Sequence, residues 1–212
     1  MNESSQPHER RAGRPSGDHD QRRQDVAAAV WAVLRDIGPD GASLRAVARQ
    51  AGCTTGTLSH YFRDKDEMLL FSINHMLDEL EAGLKAQIVD TDPLAAIRQI
   101  AHALLPRTPE RILEWSAWLG FISRGQWVAE IGELRAYRAR RIRDLVHDLL
   151  QQAEAGGALA DGINLRDRAD AIVASVEGIC TMSTRLEGED DIDRRVRILD
   201  DLLDLLLPRG EV

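Results

Sequence analysis

Segment 54–61 of this 212-residue chain concentrates small polar and aromatic side chains. Hydroxyl, imidazole and phenol groups hydrogen-bond well to base edges and phosphates, and small residues let a backbone approach a duplex closely. The chemistry that this segment offers is therefore the reading of nucleic acid. The residues concerned are Thr54, Thr55, Gly56, Thr57, Ser59, His60 and Tyr61.

Two predicted short helices position these side chains. Ser43 is a plausible N-cap for the first helix, and Gly52 can take the left-handed backbone that ends it. The second helix begins near Thr54 or Thr55 and ends by Phe62. Two short helices around a tight turn have helix-turn-helix spacing, in which the second helix enters the major groove of DNA.

The alternative interpretation is a helical hairpin that serves packing alone. Leu58 and Phe62 are apolar and anchor the second helix in either case. Thr55, Ser59 and His60, however, suit a core poorly, and a glycine inside a helix costs about 1 kcal/mol relative to alanine. Close approach to a DNA backbone accounts for both features and favours DNA binding.

The run from Ala51 to Leu69, AGCTTGTLSHYFRDKDEML, resembles the signature of the TetR family of transcriptional regulators. The shared pattern is an Ala-Gly turn, a small polar pair, Gly, an aliphatic residue and an aromatic cluster ending in Phe. A Lys with an acidic residue and an aliphatic pair follow. The segment is most similar to the subgroup that includes choline-responsive repressors of betaine synthesis.

The resemblance implies a role for each matching residue. The sequence departs from the family pattern at two positions. Many members carry Tyr where this chain has Ser59, and Lys is common where this chain has Thr55. Both changes reduce groove-facing bulk and charge. The implied roles are approach to the backbone and base edges (Thr54, Thr55, Gly56), contact with the groove (Thr57, Ser59, His60) and phosphate binding (Arg45, Tyr61, Lys65).

The function that the resemblance implies is sequence-specific, DNA-binding transcriptional regulation. The expected partners are a palindromic operator in double-stranded DNA, a second copy of the chain, and a small organic ligand that releases the repressor. The alternative is a helical ligand-binding or scaffold protein that no longer reads DNA. Ser59 and the modest local charge leave that alternative open.

Charge is unevenly distributed along the chain. Residues 1–65 carry ten basic against eight acidic residues, and the remainder carries seventeen against twenty-seven, which gives the net charge of −8. A weakly basic end on an acidic body suits a protein that meets DNA with one face. The first 25 residues are polar and no long apolar run follows, so the sequence predicts neither a signal peptide nor a membrane span.

Enzyme signatures are missing from the sequence. The six histidines are scattered without metal-ligand spacing, and there is no P-loop, GxGxxG or GxSxG motif. We therefore expect no enzyme, cofactor or metal. Cys53 and Cys180 lie far apart and are expected to be reduced thiols in a cytoplasmic protein.

Residues 1–19 are predicted to form a flexible basic arm. Arg10, Arg11 and Arg14 are typical of arms that enter a narrow minor groove, and the alternative is an ordinary solvated tail. The rest of the chain is predicted to be all-α, with about nine helices. A helix-turn-helix domain is expected at 20–65 and a ligand-sensing and dimerisation domain at 66–212. Asp64 with Glu67 predicts a capping box at the start of a long helix, and the last helix is predicted from Ile192.

Three aromatic residues and one isoleucine recur on one predicted helix, spaced i, i+3, i+6 and i+7. In the family a ligand cavity lies among the middle helices, so this stripe is a candidate lining, and a packed core is the alternative. Glu114 or Glu177 could complement a cationic ligand. A basic run at 138–143 is interpreted as a solvated face paired with acidic residues. The candidate ligand-binding residues are Trp115, Trp118, Phe121, Ile122 and Glu177.

The last two predicted helices each carry an apolar stripe. Two such helices from each of two chains would form a four-helix bundle, which is how we expect the dimer to assemble. The candidate interface residues are Ile172, Val176, Ile179, Leu199, Leu203 and Leu206.

Overall fold

The computed structural model of the protein describes residues 16–88, 91–123, 128–160, 162–183 and 189–208. Within those ranges the chain forms nine helices, which confirms the all-α prediction. Arg10, Arg11 and Arg14 lie outside the described residues. The helices are α1 (Ser16–Gly41), α2 (Leu44–Gln50), α3 (Thr55–Tyr61), α4 (Lys65–Gln87), α5 (Pro93–Leu104), α6 (Pro109–Ile122), α7 (Ala129–Ala155), α8 (Leu165–Met182) and α9 (Glu189–Leu206).

Two predicted boundaries are wrong. Residues 16–19 of the expected arm already belong to α1, and α9 begins at Glu189 and not at Ile192. In both places the extra residues are polar, so the apolar periodicity that marks a helix begins later than the helix itself. Gly38, with a φ of +70°, interrupts the helical geometry of α1 near its end.

Side-chain caps fix the starts of several helices. The Ser43 hydroxyl accepts the backbone N–H of Ala46 at 3.2 Å, and the Asp64 carboxylate accepts that of Glu67 at 2.8 Å. Asn164 accepts two backbone N–H groups at the start of α8. These bonds satisfy donors that have no partner within their own helix. The helix-turn-helix and the long α4 therefore begin where local sequence places them.

The first core cluster joins α1–α4 to the rest of the protein. Buried apolar residues of all four helices pack together, with Val47, Leu58 and Phe62 at its centre. Ala117 and Phe121 of α6 and Ile131 of α7 belong to the same cluster. The Trp31 indole of α1 donates to the backbone oxygen of residue 72 in α4 at 3.3 Å. The helix-turn-helix thus shares one buried core with α1 and the first half of α4.

The second core cluster lies among α5, α7, α8 and α9, and it corrects our prediction of the interface. Five of the six candidate residues are buried in this cluster within a single chain, and Leu206 is half-buried against it. A side chain buried in its own protomer cannot pack against another, so the interface prediction is wrong for the buried five. These are Ile172, Val176, Ile179, Leu199 and Leu203.

No helix of the described ranges is long and apolar enough to cross a membrane.

Candidate nucleic-acid interface and ligand cavity

The turn between α2 and α3 is closed by backbone bonds around Gly52. Gly52 has a φ of +63°, and the Cys53 N–H donates to the Ala48 carbonyl at 2.9 Å. Only glycine takes this left-handed conformation without steric cost. The turn therefore sets the angle at which α3 leaves α2.

Thr54 caps α3 and orients its first turn. Its hydroxyl accepts the Thr57 N–H at 3.1 Å and lies 2.9 Å from the Thr57 hydroxyl. Leu58 and Phe62 are buried beneath the helix, as predicted. The opposite face is solvent-exposed and carries Thr54, Thr55, Gly56, Thr57, Ser59 and His60.

Ser59 and Gly56 show how the exposed face of α3 is arranged within the protein. The Ser59 hydroxyl donates to the Thr55 carbonyl at 3.0 Å, which leaves its lone pairs for an outside donor. A Cβ atom built on Gly56 would meet only the Thr54 hydroxyl, at 3.6 Å, which is ordinary contact. Glycine at position 56 is therefore not required by the fold.

Tyr61 and the predicted phosphate-binding residues lie at the edges of this face. Tyr61 is half-buried at the end of α3, with its ring 5.3 Å from that of His60 in an edge-on arrangement. Arg45 is exposed in the first turn of α2. Lys65 is the first residue of α4, where the partial positive charge of the helix N-terminus adds to its own.

Asp64 neutralises one of the nearby cations. It forms an ion pair with Arg63 at 3.0 Å. The Glu67 backbone N–H, followed by the Arg63 guanidinium, lowers the pKa of Asp64, and the Asp64 carboxylate raises the pKa of Arg63. The Glu67 carboxylate in turn accepts the backbone N–H of Arg63 at 2.8 Å. The predicted capping box therefore forms, but its second hydrogen bond goes to the residue before the N-cap residue Asp64.

A cavity of about 280 Å³ lies among α4–α8. Its walls are mostly aliphatic side chains, from Met76 and Leu80 on α4 to Val176 on α8. Trp115, Trp118, Ile122 and Glu177 line it, as the sequence predicts for a ligand site.

Phe121 does not line this cavity. It is 2% exposed and packs in the first core cluster beside α1. At 3.6 residues per turn, a residue at i+6 lies about 120° away from residue i around the helix axis. Our predicted stripe therefore joined two faces of α6: Trp115, Trp118 and Ile122 face the cavity, and Phe121 faces the first core cluster beside α1.

Arg138 of α7 joins the cavity to α4, and the sequence did not reveal this. We predicted a solvated side chain, but Arg138 is buried and lines the cavity. Its Nη2 donates to the Asn74 backbone oxygen at 3.0 Å and to Asp78 at 2.7 Å, and its Nη1 lies 3.7 Å from Glu81. All three partners belong to α4. The predicted pairing with acids is thus confirmed for Arg138, whereas the predicted exposure is wrong.

Two neighbours of Arg138 also match the predicted acidic pairing. Arg141 binds Glu81, and Arg143 binds Asp170. The hydrogen bonds from Lys85 and Arg141 lower the pKa of Glu81 despite its partial burial, which by itself raises it. These pairs tie α7 to α4 and α8 and keep Glu81 ionised.

Cys180 contributes a protonated thiol to the cavity wall. Burial raises its pKa to about 12, and its Sγ lies 3.6 Å from the Leu104 carbonyl, to which it donates. Since only the thiolate is nucleophilic, this thiol is expected to be inert near neutral pH.

We expect thiol titration to distinguish the two cysteines. At pH 8, Ellman's reagent should react within minutes with Cys53, which is half-buried beside the turn, and far more slowly with Cys180. A Cys53→Ser variant assigns the fast phase. Two equally fast thiols at pH 8 would contradict the burial of Cys180.

Two family descriptions match the chain and together span most of it. Residues 26–70 match the family described as bacterial regulatory proteins, tetR family. Residues 93–208 match that described as BetI-type transcriptional repressor, C-terminal. The first match contains α2, α3 and the turn, and the second contains α5–α9.

Curated relatives and solved structures agree with these matches. The regulator PksA of Bacillus subtilis is 30% identical over 193 residues, covering 79% of this chain and 94% of its own. The regulator BetI of Pseudomonas fluorescens is 26% identical, covering 90% and 95%. A regulator from Rhodococcus sp. is 25% identical with a TM-score of 0.74, covering 90% and 98%. A Saccharomonospora viridis regulator in complex with choline has the same fold, at 16% identity and a TM-score of 0.80, covering 91% and 100%.

Proposed function

Because the chain belongs to the TetR family of bacterial transcriptional regulators and has a BetI-type C-terminal half, we propose that α3 reads an operator in the major groove and that a small molecule in the cavity releases it. Segment 20–65 serves as the reading head, and 66–212 serves in sensing and dimerisation. The relatives are regulators and not enzymes, and the proposed site of action is the cytoplasm.

The exposed face of α3 carries this proposal. Thr55, Ser59 and His60 are solvent-exposed on a helix that Thr54 caps and that Leu58 anchors in the core. Gly56, between them, is compatible with alanine as far as the protein's own packing is concerned. A polar, solvent-exposed helix face is suited to base edges.

Phosphate contacts are proposed on both sides of that face. Arg45 lies in the first turn of α2 and Tyr61 at the end of α3. Lys65 adds its charge at the N-terminus of α4, which also attracts phosphate through its dipole. Thr54, with Thr55 and Gly56, approaches the DNA backbone and base edges at the first turn of α3, and Thr57 faces the groove. Such contacts orient the helix in the groove without distinguishing sequences. Residues Arg10, Arg11 and Arg14 are proposed to add contacts in the adjacent minor groove.

The dimer is proposed to form through the outer faces of α8 and α9. Leu205 is 73% exposed and Met182 is 67% exposed, and Ile198 and Leu202 lie half-buried on the same side of α9 as Leu205. Two copies of this apolar face would cover each other around a two-fold axis. Two reading heads then meet a palindrome with half-sites spaced by whole helical turns.

Release by a ligand is proposed to work through α4. This helix begins at the reading head and contributes Met76, Leu77 and Leu80 to the cavity wall. A ligand can change the separation of the two reading heads of the dimer only if it binds more tightly to the protein with α4 in one position than with α4 in another. The ligand therefore acts by differential affinity and not by contact with DNA.

Operator binding by gel shift tests this proposal, with DNA upstream of the gene as the probe. His60→Ala should lower specific affinity about 10-fold, the size of one lost base contact. Lys65→Ala should weaken binding to all sequences and reduce the slope of log affinity against log salt by about one.

Arg140→Ala is the matched control, because it removes an exposed cation from the middle of α7. It should leave affinity and salt slope unchanged. Failure of the wild-type protein to bind any upstream DNA specifically would overturn the proposal in favour of a helical ligand-binding or scaffold protein.

A further inference from the structure

Two side chains of the cavity wall hold buried hydrogen-bond donors without acceptors. Among the described residues that line the cavity, the buried polar atoms with no hydrogen-bond partner are Trp115 Nε1 and Arg138 Nε and Nη1. All three are nitrogens that donate and cannot accept. A buried donor left unsatisfied is costly, so a ligand that supplies oxygen acceptors gains free energy at this place.

The carboxylates of the cavity wall, by contrast, offer little to a cation. Glu114 already pairs with Arg111 at 3.2 Å and with Arg35 at 3.7 Å. Glu177 is solvent-exposed. The charge of a quaternary ammonium ion would therefore meet a neutralised acid or a hydrated one.

The net charge around the cavity also favours an anionic ligand over a cationic one. Three arginines and two glutamates line it. Around Arg138, the acids Asp78 and Glu81 are balanced by Arg138 itself together with Lys85 and Arg141. The site as a whole is positive, which favours an anion over a cation in a partly buried, low-dielectric setting.

We propose that the cavity binds an apolar, flat organic carboxylate, whose oxygens accept hydrogen bonds from Arg138 and Trp115 and whose body packs against the aliphatic and indole walls. The proposal rests on the cavity being the ligand site of the function proposed above. It departs from the cationic ligand that Glu114 and Glu177 suggested from the sequence.

The position of Arg138 also gives the ligand a route to the reading head. The same guanidinium binds Asn74 and Asp78 on α4 through Nη2. A carboxylate bound at Arg138 competes with Asp78 for this cation and loosens the link between α7 and α4. Arg138 is thus a positioning residue for α4 as well as a ligand contact.

Isothermal titration calorimetry on the DNA-free full-length protein tests the ligand chemistry with three matched probes. These are 1-naphthylacetate, its methyl ester and (1-naphthylmethyl)trimethylammonium, which share a ring system and differ in charge. We expect the carboxylate to bind at least about 10-fold more tightly than the ester and the ammonium compound, as for hydrogen bonds to a charged group.

Two variants locate the contact. Trp115→Phe keeps a ring and removes the N–H, and should weaken the carboxylate about 5- to 10-fold while changing the ammonium compound far less. Trp118→Phe, on the same wall, should change both probes by the same factor. Arg138→Gln should remove the preference for the carboxylate, and its melting curve reports whether it folds.

Equal binding of acid and ester, tighter binding of the ammonium compound, or no binding of any probe would each overturn the inference. None of these outcomes bears on DNA binding, which the gel shift measures separately without ligand.

Discussion

Replacing Leu205 by glutamate is expected to convert the protein to a monomer and to lower its operator affinity at least about 100-fold, because two linked heads bind a palindrome with high effective concentration. Leu205 is the most exposed large apolar side chain among the described residues, at 73%. A charge there would be buried without a partner in the proposed interface. Sedimentation velocity and gel shift measure the two effects.

The fold of the Leu205→Glu protomer should survive, since the side chain packs little within its own chain. Circular dichroism should therefore be unchanged. Leu113→Glu is the matched control, at an exposed leucine of α6 that is 47% exposed. It should leave both the dimer and operator binding intact. A Leu205→Glu protein that remains dimeric at micromolar concentration would refute the proposed interface.

Replacing Gly56 by alanine is expected to make the protein more stable and, at the same time, to weaken its binding to the operator. The free energy of unfolding should rise by about 0.5–1 kcal/mol, because alanine is the better helix former and its Cβ meets no close atom. Operator affinity should nevertheless fall about 10- to 100-fold, the cost of one or two lost close contacts with DNA. Chemical denaturation and gel shift on the same preparation measure both.

Gly83→Ala provides the control for this second prediction. Gly83 is exposed within α4, and a Cβ atom there meets nothing within 4 Å. It should stabilise the protein similarly and leave DNA binding unchanged. If Gly56→Ala bound the operator as tightly as the wild-type protein, the close approach of α3 to the DNA backbone would be wrong.

The reading head was largely predictable from sequence because its determinants are local. Ser43 and Asp64 cap the helices that follow them, and Gly52 adopts the positive φ that its turn requires. Leu58 and Phe62, four residues apart, are both buried as their spacing indicates. A cap, a turn or a helical period acts within a few residues, so reading neighbours in the sequence is enough.

The cavity was predictable only in part. Trp115, Trp118 and Ile122 share one face of α6 and line it, but Phe121 turns toward α1. A helix in a bundle has neighbours on more than one side. Apolar spacing then shows that a face is covered, and it does not show which neighbour covers it.

The same reason explains why the sequence predicted the wrong interface residues and the wrong exposure of Arg138. On α8 and α9 the sequence offers two apolar faces, and the tertiary structure decided that Ile172 and Leu199 point inward and Leu205 outward. It also decided that one arginine of a basic run is buried against Asn74 and Asp78, from residues about sixty positions away. The sequence by itself determined a capped helix-turn-helix and an all-helical chain, because those depend on near neighbours. The lining of the cavity, its excess of buried donors and the face left for a partner depend on which helices meet, and only the packed structure decides that.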